Sequence, residues 1–210
     1  MSPPNLTAAD AATTAAHLRQ NAVLFRLGFA AYLVEAFSDL VLAWLFYILL
    51  RPVHRELALL SAFFGIVSMS LFGVTQMFYF SAPLFLSERA YLAAFSPAQL
   101  EALARVFVGL YGALSGLFMM FYGTAWIIRA FLAFRSGYLP RLLGVLMGVA
   151  GVGFVIKNIT NVLAPTLSVD LLLAPMFLNV LALAIWMLLK GVDTATWDHL
   201  TAHASDQAAP

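Results

Sequence analysis

Two carboxylates stand four residues apart in a stretch that otherwise carries almost no charge. Glu35 and Asp39 lie within AVLFRLGFAAYLVEAFSDLVLAWLFYILL, residues 22–50, an apolar run long enough to cross a bilayer as a helix. On a helix they are one turn apart, so they share a face, repel each other, and can hold one proton between them at neutral pH. That pattern suits proton relay. It also suits general acid–base work, but no nucleophile or metal-ligand set accompanies it. Lys157, inside a second apolar run at 140–163, is the candidate counter-charge.

Depth along each helix can be counted from basic residues at its end. Glu35 precedes Arg51 by sixteen residues and Lys157 follows Arg141 by sixteen, so both sit about 24 Å from the same boundary. Asp39 and Asn179 come out at about 18 and 16 Å, and Tyr122, Asn158, Ser68 and Ser70 fall in the same broad layer. The pattern predicts an intramembrane polar layer built on Glu35, Asp39, Lys157, Asn158, Asn179 and Tyr122. Such a layer could bind or conduct an ion or a small polar solute, or it could be a buried ion pair that only fixes helix packing.

The chain that must position these groups is 63% hydrophobic and 10% charged over 210 residues, with mean hydropathy +0.92. Soluble domains carry about 25% charged residues, and 10% is too few to cover a water-facing surface. The expected fold is an all-α polytopic transmembrane helix bundle with five spans, at about 22–50, 56–80, 97–134, 140–163 and 169–190. A polar N-terminal tail (1–21), one transmembrane helical domain (22–191) and a polar, mobile C-terminal tail (192–210) follow. Thr7 and Asp10 have capping-box spacing for a short helix beginning near Ala8. Ser96, Pro97 and Gln99 form a helix start, Gly137 and Pro140 a helix-to-helix turn, and Pro175 a kink in the first half of the last span.

Arg51, Arg55, Arg135, Arg141 and Lys190 gather at one set of helix ends, whereas the opposite loops carry only Arg89. The positive-inside rule then puts the C-terminus in the cytoplasm and, with five spans, the N-terminus outside the cell membrane. Gly112 and Gly116, and separately Gly144, Gly148 and Gly151, have small-residue spacing for close helix packing, within one chain or between chains. The lipid bilayer is the expected surrounding, a homo-oligomer or membrane protein a possible partner.

A net charge of +1 argues against a nucleic-acid partner. There is no cysteine, and His17, His54, His199 and His203 all lie outside the spans, so bis-histidine haem is excluded. His199 and His203 beside Asp198 have the spacing of a weak zinc pair, but on a polar tail they read as solvated. No metal or cofactor is implied. Phosphate-loop, serine-hydrolase and zinc-protease motifs are absent.

FRLGFAAYLVEAFSDLVLAWLFYILLRPVHRELALLSAFF (25–64), FYGTAWIIRAFLAFRSGYLPRLLGVLMGVAGVGF (121–154) and IWMLLKGV (185–192) resemble the bacterial membrane family catalogued as domain of unknown function 4386. RSGYLPRLLG is the most specific segment, and the resemblance covers roughly residues 20 to 192. It implies membrane helices and no established activity. Family members usually carry one more span at the N-terminal side, so the resemblance leads one to expect a six-helix relative with a first helix that this chain lacks. The pattern also tends to have arginine where Gly65 stands and acids where Lys157 and Val180 stand. Asp39 matches a family acid; Glu35 is particular to this chain. The functional expectation is an ion- or solute-binding membrane protein. The alternatives are a non-catalytic partner packing through glycine faces and, more weakly, an enzyme using an intramembrane carboxylate.

Overall fold

The computed structural model describes residues 11–87 and 90–206. Among them the regular elements are α1 (Ala11–Gln20), α2 (Ala22–Leu50), α3 (Arg55–Ser81), α4 (Pro97–Ser136), α5 (Arg141–Leu163), α6 (Ala174–Leu189) and α7 (Thr194–Asp206), with short 3-10 turns and no strand. Five helices are long and apolar enough to cross a membrane: Ala22–Leu50, Arg55–Leu86, Pro97–Ser136, Arg141–Leu163 and Asp170–Leu189. These are the five expected spans, with ends shifted by a few residues. Many of their large apolar side chains are exposed, among them Val34, Phe37, Leu142, Phe177 and Leu188, as lipid-facing surface requires.

Local chemistry sets the helix ends. His54 Nδ1 accepts the Leu57 amide at 3.3 Å and starts α3 after the Pro52 turn. Ser96 and Gln99 form the reciprocal capping box of α4, with the Ser96 amide 2.8 Å from Gln99 Oε1 and the Gln99 amide 3.4 Å from Ser96 Oγ. Pro175 does not kink the last span. A 3-10 turn, Asp170–Leu173, precedes α6, and the proline stands in the first turn of the α-helix, where its missing N–H has no intrahelical acceptor to lose.

The chain divides into two compact units, 1–38 with 70–115 and 39–69 with 116–210. The first has an aromatic core. Phe25 stacks on Tyr79 at 4.5 Å between ring centroids, and Tyr79 meets Tyr111 at 4.9 Å. Residues read from sequence as a tail form α1, which buries Thr14, Ala15 and Leu18; Arg19 reaches to 3.7 Å from Glu101. Thr7 and Asp10 of the expected capping box, and Arg89 of the expected outer loop, lie outside the described residues.

The second unit packs Phe46, Leu50, Trp126, Leu132, Met147 and Met176 together. Its α4 and α5 touch backbone to backbone. A Cβ on Gly151 would lie 2.7 Å from the Gly123 carbonyl oxygen, and one on Gly144 2.9 Å from the Phe134 amide nitrogen. Gly148 has Ala130 Cβ at an ordinary 3.5 Å, and Gly116 faces Asn158 Oδ1 at 3.2 Å. Gly112, expected to pack beside Gly116, has nothing within 4 Å of where its side chain would be.

The turn after α4 knits this unit. Gly137 takes φ +76°, a conformation costly for any residue with a Cβ. Ser136 Oγ accepts the Leu139 amide at 3.2 Å, and Pro140 is the N-cap of α5. Tyr138 donates its hydroxyl to the Leu49 carbonyl at 2.5 Å, and burial pushes this phenol's pKa up, so it stays a donor. The C-terminal stretch expected to be mobile is instead a docked helix. Trp197 of α7 donates its indole N–H to the same Leu49 carbonyl at 3.2 Å. Asp193 caps α7, accepting the Ala195 amide and the Thr196 hydroxyl at 3.1 and 2.7 Å; these bonds hold its carboxyl below the ordinary carboxylate range.

Gly151→Ala forces α4 and α5 apart and should lower stability in detergent by about 1–3 kcal/mol, the usual cost of overpacking. Gly112→Ala, with open space in a helix interior, should hold or raise the thermal midpoint, since alanine is the better helix former. Equal midpoints for the two variants would contradict the close approach.

Candidate functional site

The second unit carries a buried charged cluster on α2, α3 and α4. Asp39, Ala43, Phe46 and Leu50 recur at helical spacing along α2, and all but the half-buried Asp39 are fully packed. Tyr122, Trp126 and Arg129 do the same on α4. Arg129 is 2% exposed and Trp126 0%. The guanidinium lies against two aromatic rings, 4.8 Å from the Phe46 centroid and 5.5 Å from that of Trp126. Cation–π contact of this kind is worth about 2 kcal/mol when desolvated.

Gly65 of α3 makes the space. A Cβ there would lie 2.9 Å from Arg129 Nη2 and 3.3 Å from Ala43 Cβ. Tyr122 hydrogen-bonds the Asp39 side chain, while Arg129 acts on that carboxylate through charge. Two donors in the cluster, Arg129 Nε and Trp126 Nε1, are buried with no hydrogen-bond partner. Buried donors left in this state are rare and costly.

The expected polar layer is therefore redistributed. Asp39 and Tyr122 are brought together. Asn158, 2% exposed, turns its amide back to the Phe154 carbonyl at 2.8 Å. Asn179, 0% exposed, has neither amide atom paired; Met176 and Leu183, one turn to either side on α6, pack into the Trp126 core. Lys157 does not serve the carboxylates of α2. Its ammonium lies 3.5 Å from Asp170 Oδ1 in the turn before α6, so it reaches toward the helix end, as a long cationic side chain near an interface does. Glu35, one turn before Asp39 on the same helix face, is exposed.

Sequence reasoning missed Arg129. It stands as a lone cation in FYGTAWIIRAFLAF, in register with Tyr122 and Trp126. Among the described residues no three of His, Cys, Asp or Glu come together as a metal site.

Residues 2–191 match the family described as Domain of unknown function (DUF4386). The chain belongs to this family. The match reaches further toward the N-terminus than the stretches that carry the sequence resemblance, and it stops before α7. A protein of Archaeoglobus fulgidus (strain ATCC 49558), described as an uncharacterized protein, is similar: 26% identical over 153 residues, which is 73% of this chain and 76% of that one. No solved structure matches. In this DUF4386 chain Gly65 leaves a notch on α3 that a guanidinium from α4 fills.

Removing one charge of a buried pair costs more than removing both. Asp39→Asn alone should therefore destabilise the protein by about 3 kcal/mol or more, and Arg129→Met combined with Asp39→Asn by less. Chemical unfolding in detergent measures both. Strictly additive losses would mean the two charges do not interact.

Proposed function

We propose that this DUF4386 protein binds a small polar solute or ion inside the membrane, at Asp39, Tyr122, Trp126 and Arg129. One observation carries the reading: a fully buried arginine whose Nε, like the neighbouring Trp126 Nε1, has no partner. Burying a guanidinium carries a desolvation cost of several kcal/mol, and π faces with one carboxylate acting through charge leave its Nε unused. A pure packing device would close the pair and satisfy the donors. An incoming solute supplies the missing acceptors.

The protein lies in the cell membrane with α7 on the cytoplasmic side and the N-terminus outside. The cations at one set of helix ends support this orientation. Three of them lie over aromatic rings, as side chains at a lipid–water boundary do: Arg135 on Phe131 at 4.4 Å, Arg141 on Phe134 at 5.7 Å and Lys190 on Trp186 at 5.0 Å.

Ligands that bind the folded state raise its thermal midpoint. Purified protein heated with chloride, acetate, glycine, methylammonium or urea should rise in midpoint with at least one of them, and Arg129→Met should lose that rise. No response to any of the five, or the same response in Arg129→Met, removes the reading. The absence of native cysteine allows a clean orientation test. Ala202 is exposed on α7. Ala202→Cys should react with an impermeant maleimide in inverted vesicles and not in intact cells; the opposite pattern reverses the topology.

A further inference from the structure

We infer that the solute is zwitterionic, carrying an anionic and a cationic group a few ångströms apart. The inference rests on the small-solute reading above and names its chemical class. The site itself holds one charge of each sign. Asp39 is hydrogen-bonded by Tyr122, and Arg129 acts on it through charge. The guanidinium also lies against Phe46 at 4.8 Å and Trp126 at 5.5 Å and fills the Gly65 notch.

Charge balance selects what can enter. Asp39 and Arg129 together are neutral. A bare anion at Arg129 leaves the compartment with a net negative charge, and a bare cation at Asp39 leaves it net positive. Both states are disfavoured where water is excluded. A zwitterion leaves the sum at zero and gives each site charge an opposite partner.

Hydrogen bonding points the same way. Arg129 Nε and Trp126 Nε1 are both donors, both buried and both unpartnered, so they call for an acceptor such as a carboxylate. The Asp39 carboxylate takes one hydrogen bond from Tyr122 and retains acceptor capacity for an ammonium. Small amino acids have this arrangement of groups.

Glycine is the probe, with acetate and methylammonium as its two halves. Wild-type protein in nanodiscs should retain carbon-14-labelled glycine, and unlabelled glycine should displace it. Acetate and methylammonium at the same concentration should not. Trp126→Phe keeps the ring and removes one donor; Tyr122→Phe removes the bond to Asp39. Each should weaken glycine binding at least tenfold while the protein still elutes as a folded species. Asp39→Asn should abolish binding, and if that variant does not fold, Tyr122→Phe serves in its place. Displacement of glycine by acetate as effective as by glycine, with Tyr122→Phe unaffected, overturns the zwitterion inference and leaves an anion site, so the small-solute reading stands. Failure to retain glycine overturns the inference as well. If none of the five solutes shifts the midpoint either, the unpartnered donors are held by water alone and both readings fall.

Discussion

A buried guanidinium constrains the larger helical unit more than any other group. Arg129 needs a low-energy environment for a permanent charge, and three helices contribute to it. Phe46 of α2 and Trp126 of α4 offer π faces, Asp39 of α2 offers an opposite charge, and α3 offers the absence of a side chain at Gly65. No single one of these is sufficient. Cation–π contact replaces part of the lost hydration, and the carboxylate offsets the net charge. The notch lets the planar group fit without forcing the helices apart.

The same unit shows how little side-chain volume separates its helices. Gly123 and Gly151 bring α4 and α5 into backbone contact, and Gly144 does the same beside Phe134. In a lipid surrounding apolar residues gain little by leaving lipid, so close van der Waals packing takes over the role that water expulsion has in soluble proteins. With α4 and α5 this near, the chain must reverse sharply. It does so through a left-handed Gly137, a Ser136 cap and a Tyr138 that reaches the end of α2. The Leu49 carbonyl is one of the four at the end of α2 with no intrahelical donor. Tyr138 and Trp197 both supply one, so α7 is tied to a carbonyl that the end of the helix would otherwise leave without a donor.

Much of the fold was legible in the sequence because membrane helices are specified by simple means. Length and apolarity mark the spans, Ser96 and Gln99 mark a start, and Gly137 and Pro140 mark a turn. The C-terminal helix was not legible, and of the N-terminal one only a start near Ala8 was. Both α1 and α7 are polar on average, and each is held by a few residues, Leu18 or Trp197, whose partners are distant in sequence. The site was half legible. Depth counting found Asp39 and Tyr122 but promoted Lys157, which reaches to Asp170 and not inward.

The sequence alone therefore determined the class: five apolar runs, their ends, and an acid that no lipid-facing surface would tolerate. Those properties follow from one-dimensional quantities, hydropathy and spacing. The tertiary structure alone decided which cation serves that acid. Depth along a helix says how far a group lies from the boundary, but not the direction in which it points. Arg129 faces Phe46 and Trp126 because of where its helix is rotated, and it fits because a glycine on a different helix leaves room. Rotation and free space are properties of packed helices together, and no single stretch of the chain encodes them.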